Sequence, residues 1–318
     1  MAGLSGKNIL VTGGAGFIGG HLVEKLLKQG ANVFVVDIYI NPKSIFAINK
    51  LAKKVKYSKL DIRDRKKVAG YFKNHTFEYI FHLAAEPIVG EAFNDPYRTF
   101  ETNIMGTVNI LEEARKNKKI KGIIVASSDK AYGKLKKGKA YKEESPLFGD
   151  HPYDVSKSCQ DLISLAYSKT YGIPVVVTRF GNVYGEGDLH FDRLMPGICE
   201  AIIKNKVFEI RSNGKYVRDY IYVGDVADGY VFLLTLIEKV NGETFNFSSK
   251  DNLSVLGTIK TVEKASGLKI KFSIKNNAKN EIPYQHVDDS KIRKLGWRTN
   301  SSLETTFPQI LKWYRTSI

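Results

Sequence analysis

The sequence predicts an α/β fold, a doubly wound parallel sheet followed by a smaller carboxy-terminal substrate-binding lobe. Three observations carry that expectation. A glycine-rich turn, Thr12-Gly13-Gly14-Ala15-Gly16-Phe17-Ile18-Gly19, sits between a short apolar run at 7–11 and a helical segment at 21–28. Short β-branched runs then alternate with amphipathic stretches as far as residue 185. Beyond 185 the alternation weakens, which marks a second architecture built on the first.

The glycine turn comes first because its mechanics are specific. Glycine tolerates positive φ and lets backbone N–H groups approach a pyrophosphate at the positive end of a helix dipole. Gly14, Gly16 and Gly19 fit G-x-G-x-x-G, and Gly13, Gly16 and Gly19 fit G-x-x-G-x-x-G. In the following helix Leu22, Val23, Leu26 and Leu27 share one face. A second strand at 31–36 ends on Asp37, about 20 residues past the glycines, where a ribose-binding carboxylate belongs. An acid there accepts hydrogen bonds from the adenosine 2′-hydroxyl and repels a 2′-phosphate. The chain therefore opens with a Rossmann-type dinucleotide site that favours NAD over NADP.

A mixed segment at 38–54 precedes a third strand at 55–60, which ends at Asp61-Ile62 beside the expected adenine edge. A helix at 65–74 leads to a buried fourth strand at 79–85. There His82 reads as a core histidine, and the small Ala84 and Ala85 leave room for a cofactor. An amphipathic crossover helix at 99–116 and a fifth strand at 121–126 follow, the latter ending in Ser127-Ser128-Asp129-Lys130. His151-Pro152-Tyr153 opens another helix, and a sixth strand spans 173–178. Residues 1–185 are expected to form the dinucleotide-binding domain and 186–318 mainly the lobe, with 220–250 returning to the main sheet. The last stretch contains a helix, a strand near 269–274 and an amphipathic helix through Trp313.

Composition narrows the class. The chain has 318 residues, 43% of them hydrophobic, and a formal charge of +16. Cys159 and Cys199 are too few for a disulfide framework and form no metal cluster, which fits a reducing cytoplasm. No apolar run approaches a membrane span, and the start leads directly into the first strand with no signal peptide. The densest basic cluster, Lys134, Lys136, Lys137, Lys139 and Lys142, is interleaved with glycine. It reads as a solvated loop and matches no nucleic-acid module.

Tyr153 and Lys157 are four residues apart on a helix, one turn apart on the same face. An ammonium beside a phenol, together with a positively charged oxidised nicotinamide, favours the phenolate and makes tyrosine a usable base. Ser128, at a strand tip, completes a candidate triad that would hold the substrate hydroxyl.

These motifs, in this order, resemble the extended short-chain dehydrogenase/reductases of the nucleotide-sugar epimerase/dehydratase family, over nearly the whole chain. Gly13, Gly16, Phe17, Ile18, Gly19, Asp37, Asp61, Ile62, Leu83, Ala84, Ala85 and Asn103 match the family's cofactor positions. Arg218-Asp219-Tyr220-Ile221-Tyr222-Val223 and Leu295-Gly296-Trp297 resemble its later signatures. The resemblance implies a catalytic set of Ser128, Tyr153 and Lys157, with Lys157 also on the nicotinamide ribose. Asn182 and Arg218 would contact the diphosphate of a UDP-, CDP-, GDP- or dTDP-sugar. It also implies a homodimer through the helices near 99–116 and 154–171.

Members begin by oxidising a sugar hydroxyl, usually at C4. A 4-epimerase returns hydride to the other face of the keto sugar; a 4,6-dehydratase expels the 6-hydroxyl as water and returns hydride to C6. The Asp129-Lys130 pair resembles the variant of CDP-glucose and UDP-N-acetylglucosamine dehydratases, and the run Phe191-Asp192-Arg193-Leu194-Met195-Pro196 also resembles the CDP-glucose enzymes. On that resemblance Asp129 protonates the departing hydroxyl. Lys130 serves at C5, as a neutral base or by stabilising the enolate, and Arg193 joins the substrate site. The run from Arg218 to Val223 departs from this, looking like the epimerase and decarboxylase branch, and the chain is shorter than typical CDP-glucose enzymes. The expected activity is a 4,6-dehydratase, with a 4-epimerase as the alternative. A non-catalytic NAD-binding regulator is the reading from another class, and the intact Ser128, Tyr153 and Lys157 count against it.

Overall fold

A computed structural model describes residues 3–134, 139–277 and 282–317. The first half alternates strand and helix: β1 (Asn8–Thr12), α1 (Phe17–Lys28), β2 (Asn32–Asp37), α2 (Ile45–Ile48), β3 (Lys56–Lys59), α3 (Arg65–Asn74) and β4 (Tyr79–His82). Next come α4 (Val89–Asn94), α5 (Pro96–Phe100), a π turn (Glu101–Met105), α6 (Gly106–Lys116) and β5 (Gly122–Ala126). A 3₁₀ turn (Asp129–Tyr132) precedes α7 (Pro152–Tyr171) and β6 (Val175–Phe180). The remainder holds β7 (Asn182–Tyr184), α8 (Leu194–Ile203), β8 (Phe208–Ile210), β9 (Val217–Tyr222), α9 (Val223–Thr235), α10 (Ile237–Val240) and β10 (Thr244–Phe247). It closes with β11 (Asp251–Ser254), α11 (Val255–Ser266), β12 (Phe272–Ile274), α12 (Ser290–Lys294) and α13 (Leu303–Ser317).

The main sheet has seven parallel strands in the order β10-β6-β5-β4-β1-β2-β3. The order reverses between β1 and β4, so the carboxyl ends of these strands splay apart and open a crevice. Strand residues alternate between the two faces. Val11, Val35, Phe81, Ile124 and Val176 pack on one side with Leu22 and Leu26 of α1 and Tyr230 of α9. Leu10, Phe34, Ile80, Ile123 and Val177 pack on the other with Val68 of α3 and Ile110 and Leu111 of α6. With both faces covered, the strands read as continuous apolar runs rather than alternating ones.

The chain beyond β6 divides its loyalties. Within 220–237 no segment joins the main sheet: β9 pairs with β7 and β11 in a separate three-stranded sheet, and α9 lies beside α1. Strand β10 does return, pairing with β6. A third cluster, with Met195 and Ile198 of α8, Ile259 and Val262 of α11, and Phe307 and Ile310 of α13, forms the lobe's own core. Strands β8 and β12 pair as a small parallel sheet at its edge. Among the described residues no helix is long and apolar enough to cross a membrane. Cys159 is half-buried and Cys199 buried, both as free thiols.

Behind β5 and β6 lies a buried ion pair, Arg179 Nε to Asp161 Oδ2 at 2.8 Å, with the two side chains 3% and 0% exposed. Asp161 also accepts from Ser127 Oγ at 2.9 Å, and Arg179 Nη1 donates to Tyr132 Oη at 2.6 Å. The pair thus pins both ends of the turn after β5. Removing one partner strands a buried charge. Arg179→Met should therefore cost about 3–5 kcal/mol in urea unfolding, and Arg179→Met/Asp161→Leu should recover part of that loss.

Candidate active site

The loop after β1 is shaped by two glycines that nothing larger could replace. Gly13 has φ +70, and a Cβ there would lie 2.7 Å from the Ala84 backbone nitrogen. A Cβ on Gly19 would lie 2.2 Å from Gly13 O. The turn is thereby pressed against β4, and α1 begins at Phe17, inside the motif. Asp37 closes β2 and turns back to this loop. Its carboxylate accepts from Ala15 N at 3.0 Å and Ile38 N at 2.8 Å, while burial raises its pKa above the usual carboxylate value. Asp61 is held by Arg63, Nη2 to Oδ2 2.6 Å, and that hydrogen-bonded pairing lowers its pKa.

The crevice is a continuous cleft of about 1240 Å³, larger than the roughly 300–1,000 Å³ of a pocket for one small ligand. Its first end is lined by Gly13, Gly16, Phe17, Ile18, Gly19 and Asp37, then by Asp61, Ile62, Leu83, Ala84 and Ala85. Ser128, Asp129, Lys130, Tyr153 and Lys157 line its middle, and Asn182, Arg193 and Arg218 line the lobe side. Gly13 and Gly19 leave the backbone of the loop open to the cleft, with Asp37 beside it.

Asn103 is the exception among the expected cofactor positions. It is fully buried in the π turn, where its amide accepts from Glu86 N (2.7 Å) and donates to Glu86 O (3.1 Å) and Ser156 Oγ (2.8 Å). These bonds tie it to the protein, so it braces the loop after β4 and does not line the cleft. The π turn also interrupts the single helix expected over 99–116.

At the centre burial sets the electrostatics. Lys157 is held by Ala126 O at 3.0 Å and Gln160 Oε1 at 2.8 Å, and burial pushes its ammonium down to about 8. Tyr153 is pushed up to about 12, again by burial, against the opposing charge of Arg193 and a hydrogen bond with Ser128. Arg193 is the cation that acts most strongly on the phenol. Lys157 shares the helix face of Tyr153 but reaches down to the end of β5. Arg193 is itself tied to Asp188, Nη1 to Oδ2 3.0 Å.

Asp129 is buried at the start of the 3₁₀ turn, only 2% exposed. Its Oδ1 accepts from Ser128 Oγ at 3.2 Å and its Oδ2 from Gln285 Nε2 at 3.2 Å. Burial raises it to about 6, with Lys130 and Arg218 opposing and Asp219 adding to the rise. Lys130 is half-buried beside it and also acts electrostatically on Asp154. On the lobe side Asn182 opens β7, and Arg218 Nη1 donates to Val217 O at 2.8 Å.

His82 is a core histidine as read: Nδ1 meets Thr12 Oγ1 at 2.7 Å and Nε2 meets Thr107 Oγ1 at 2.9 Å, and burial pushes it down to about 3. Of the basic cluster, Lys134 pairs with Asp150 at 3.0 Å and Lys139 and Lys142 are exposed; Lys136 and Lys137 lie outside the described residues. Among the described residues no group of three or more His, Cys, Asp or Glu could hold a metal. Sequence reasoning missed Gln160, Asp161, Arg179 and Gln285 as supports of the site. Asp161 and Arg179 have a local signal, charged residues within otherwise buried elements; Gln285 has none.

The profile of the NAD dependent epimerase/dehydratase family matches residues 9–248. The CDP-glucose 4,6-dehydratase of Salmonella typhimurium is 30% identical over 98% of this chain and 92% of its own length. The trifunctional UDP-glucose 4,6-dehydratase/UDP-4-keto-6-deoxy-D-glucose 3,5-epimerase/UDP-4-keto-L-rhamnose-reductase of Arabidopsis thaliana is 29% identical over 99% of this chain, which spans 48% of that protein. The structure of UDP-glucose 4-epimerase from Thermotoga maritima, solved with UDP-glucose, superposes with a TM-score of 0.89 at 30% identity, covering 98% of this chain and 99% of that one.

The glycine loop makes a direct prediction. Gly19→Ala should purify stripped of NAD, as read by enzymatic assay of nicotinamide released on denaturation; a full complement in the variant would contradict the assignment.

Proposed function

The chain belongs to the NAD-dependent epimerase/dehydratase family of nucleotide-sugar-modifying enzymes, and we propose that it acts as a sugar-nucleotide 4,6-dehydratase. One observation carries the choice within the family: a buried carboxyl, Asp129, lies directly beside Ser128 in the cleft wall, with its pKa raised to about 6. A 4-epimerase needs no acid beyond the tyrosine, whereas loss of the 6-hydroxyl needs a proton donor at that place.

NAD supplies the hydride acceptor and donor at the nicotinamide. Tyr153, once its own proton has gone to solvent, takes the proton of the C4 hydroxyl as the phenolate while Ser128 holds that oxygen. The phenol at about 12 is a poor base until positive charge gathers near it. Lys157 keeps one ammonium hydrogen for the cleft after its two to Ala126 O and Gln160 Oε1. Elimination then breaks the C5–H and C6–O bonds and forms a C5–C6 double bond. Asp129 gives its proton to the departing hydroxyl, which leaves as water, while Lys130, entering as the neutral amine, takes the C5 proton and returns it to C5 when hydride is added at C6. Arg193 and Arg218 on the lobe side suit a diphosphate. The two free thiols fit a reducing cytoplasm.

The test is incubation with UDP-, CDP-, GDP- and dTDP-hexoses and UDP-N-acetylhexosamines, read by mass spectrometry and NMR. A product lighter by one water with a keto-sugar signal is expected; an isomer of unchanged mass makes the enzyme an epimerase, and no turnover with any of them revives the regulator. Asp129→Asn should slow water loss about 10²–10⁴-fold. Because the acid form of Asp129 exists only below its raised pKa of about 6, wild-type water loss should fall as pH rises through that value.

The same reading includes a homodimer. Met105 of the π turn and Leu162 and Tyr171 of α7 are exposed apolar side chains, 51%, 58% and 54% accessible, on the two helical segments that the family resemblance assigns to the dimer. Light scattering should find a dimer in the wild type and a monomer in Met105→Arg/Leu162→Arg.

A further inference from the structure

Gln285 stands behind the cleft wall, fully buried, in a segment with no regular structure of its own. Its backbone is strapped to β9 and β11: Gln285 N donates to Val217 O at 3.1 Å, and Asn252 Nδ2 of β11 donates to Gln285 O at 3.2 Å. Asp219 on the same strand fixes the next two residues, meeting His286 Nδ1 at 2.9 Å and accepting from Val287 N at 2.7 Å. β9 also carries Arg218, which lines the substrate end of the cleft. From this strap the Gln285 side chain crosses to the other half of the molecule and donates to Asp129 Oδ2 at 3.2 Å. Its Oε1 has no hydrogen-bond partner among the described residues, so the amide is committed to that one contact.

We propose that Gln285 is a positioning residue for Asp129, keeping Oδ2 as an acceptor so that the proton is carried and released at Oδ1, beside Ser128. An amide N–H needs a lone pair to point at, and a proton placed on Oδ2 in that direction would meet the amide hydrogen head-on. The acid form with its proton on Oδ1 keeps the Gln285 bond, and Ser128 Oγ, which donates to the ionised Oδ1, becomes the acceptor there. The ionised form keeps both bonds. Around this carboxyl stand the cations of Lys130 and Arg218, the Asp219 carboxylate with its His286 partner, and the phenols of Tyr141 and Tyr153, both raised and so neutral. Gln285 donates to the carboxyl from the lobe, so it couples the acid to the strand that bears Arg218. The catalytic use of the released proton rests on the dehydratase reading above; the contact itself holds whichever reaction the enzyme performs.

The test follows the side-chain carboxyl of Asp129 by NMR in protein labelled with ¹³C-aspartate, with Asp129→Asn identifying the resonance. In Gln285→Leu the titration midpoint should rise by roughly half to one unit, because a donor to the ionised form is gone. Water loss should slow tenfold or more, toward the roughly 10²–10⁴-fold that a general acid supplies, with KM and the initial reduction of NAD unchanged. An unchanged midpoint overturns the proposal. Should Gln285→Leu fail to fold, Gln285→Glu keeps the shape and replaces the donor by a like charge. Its midpoint for Asp129 should rise by more than about one unit, and an unmoved midpoint there overturns the proposal as well. A wild-type product of unchanged mass would remove the dehydratase reading while the titration still decides the role of Gln285.

Discussion

A chain of buried hydrogen bonds runs from the ammonium of Lys157 to the glycine loop, and the site's geometry depends on it. Lys157 Nζ donates to Gln160 Oε1, Gln160 Nε2 to Thr107 Oγ1, and Thr107 Oγ1 to Asn103 O. With its own proton spent on Asn103, Thr107 accepts from His82 Nε2, so His82 Nδ1 accepts from Thr12 Oγ1, which in turn accepts from Ala84 N. Each link has one orientation that satisfies all the others. The chain passes through α7, α6, β4 and β1, so the reactive lysine and the cofactor loop are placed relative to each other by a single network. A break anywhere leaves a buried donor or acceptor without its partner, which makes such a network all-or-none.

Burial also divides the chemistry. Loss of water from around a group penalises its charged form, so the same cause moves acids up and bases down. Asp129 rises to about 6, Tyr153 rises to about 12 and Lys157 falls to about 8, all within one cleft. Asp129 thereby keeps its proton up to about pH 6, well above an ordinary carboxyl. Tyr153 is held as a neutral phenol by burial, and in the proposed mechanism the positive charge of a bound cofactor and Lys157 draws off its proton. A hydroxyl, an acid and an ammonium gathered at the end of β5 and the start of α7 can therefore act in different steps without neutralising one another.

Much of this was legible because the information is local. The glycine loop, Asp37 and the strand and helix rhythm depend on neighbours within a single βαβ unit, and Tyr153 and Lys157 on one helical turn. His82 could be read as core because a lone histidine inside an apolar strand has little else to do. The setting of Asn103 is not legible, for the opposite reason. A polar residue near a cofactor loop looks like a ligand, and only the fold shows that its amide is spent on Glu86 and Ser156. The orientation of Lys157 toward Ala126 and Gln160 was likewise hidden, since helix spacing fixes the face but not the reach of a long side chain. Gln285 meets Asp129 across 156 positions of sequence, and the Arg179 and Tyr132 contact spans 47. Such pairings are made by topology and leave no periodic trace in the chain.

The central claim is that Asp129 turns the family's shared oxidation into an elimination. It is tested most directly with a sugar nucleotide carrying deuterium at C4, with the label located in the product by NMR. The account predicts that the deuterium reappears at C6 of a keto sugar that has lost water. Deuterium returned to C4 in a sugar of unchanged composition would contradict it.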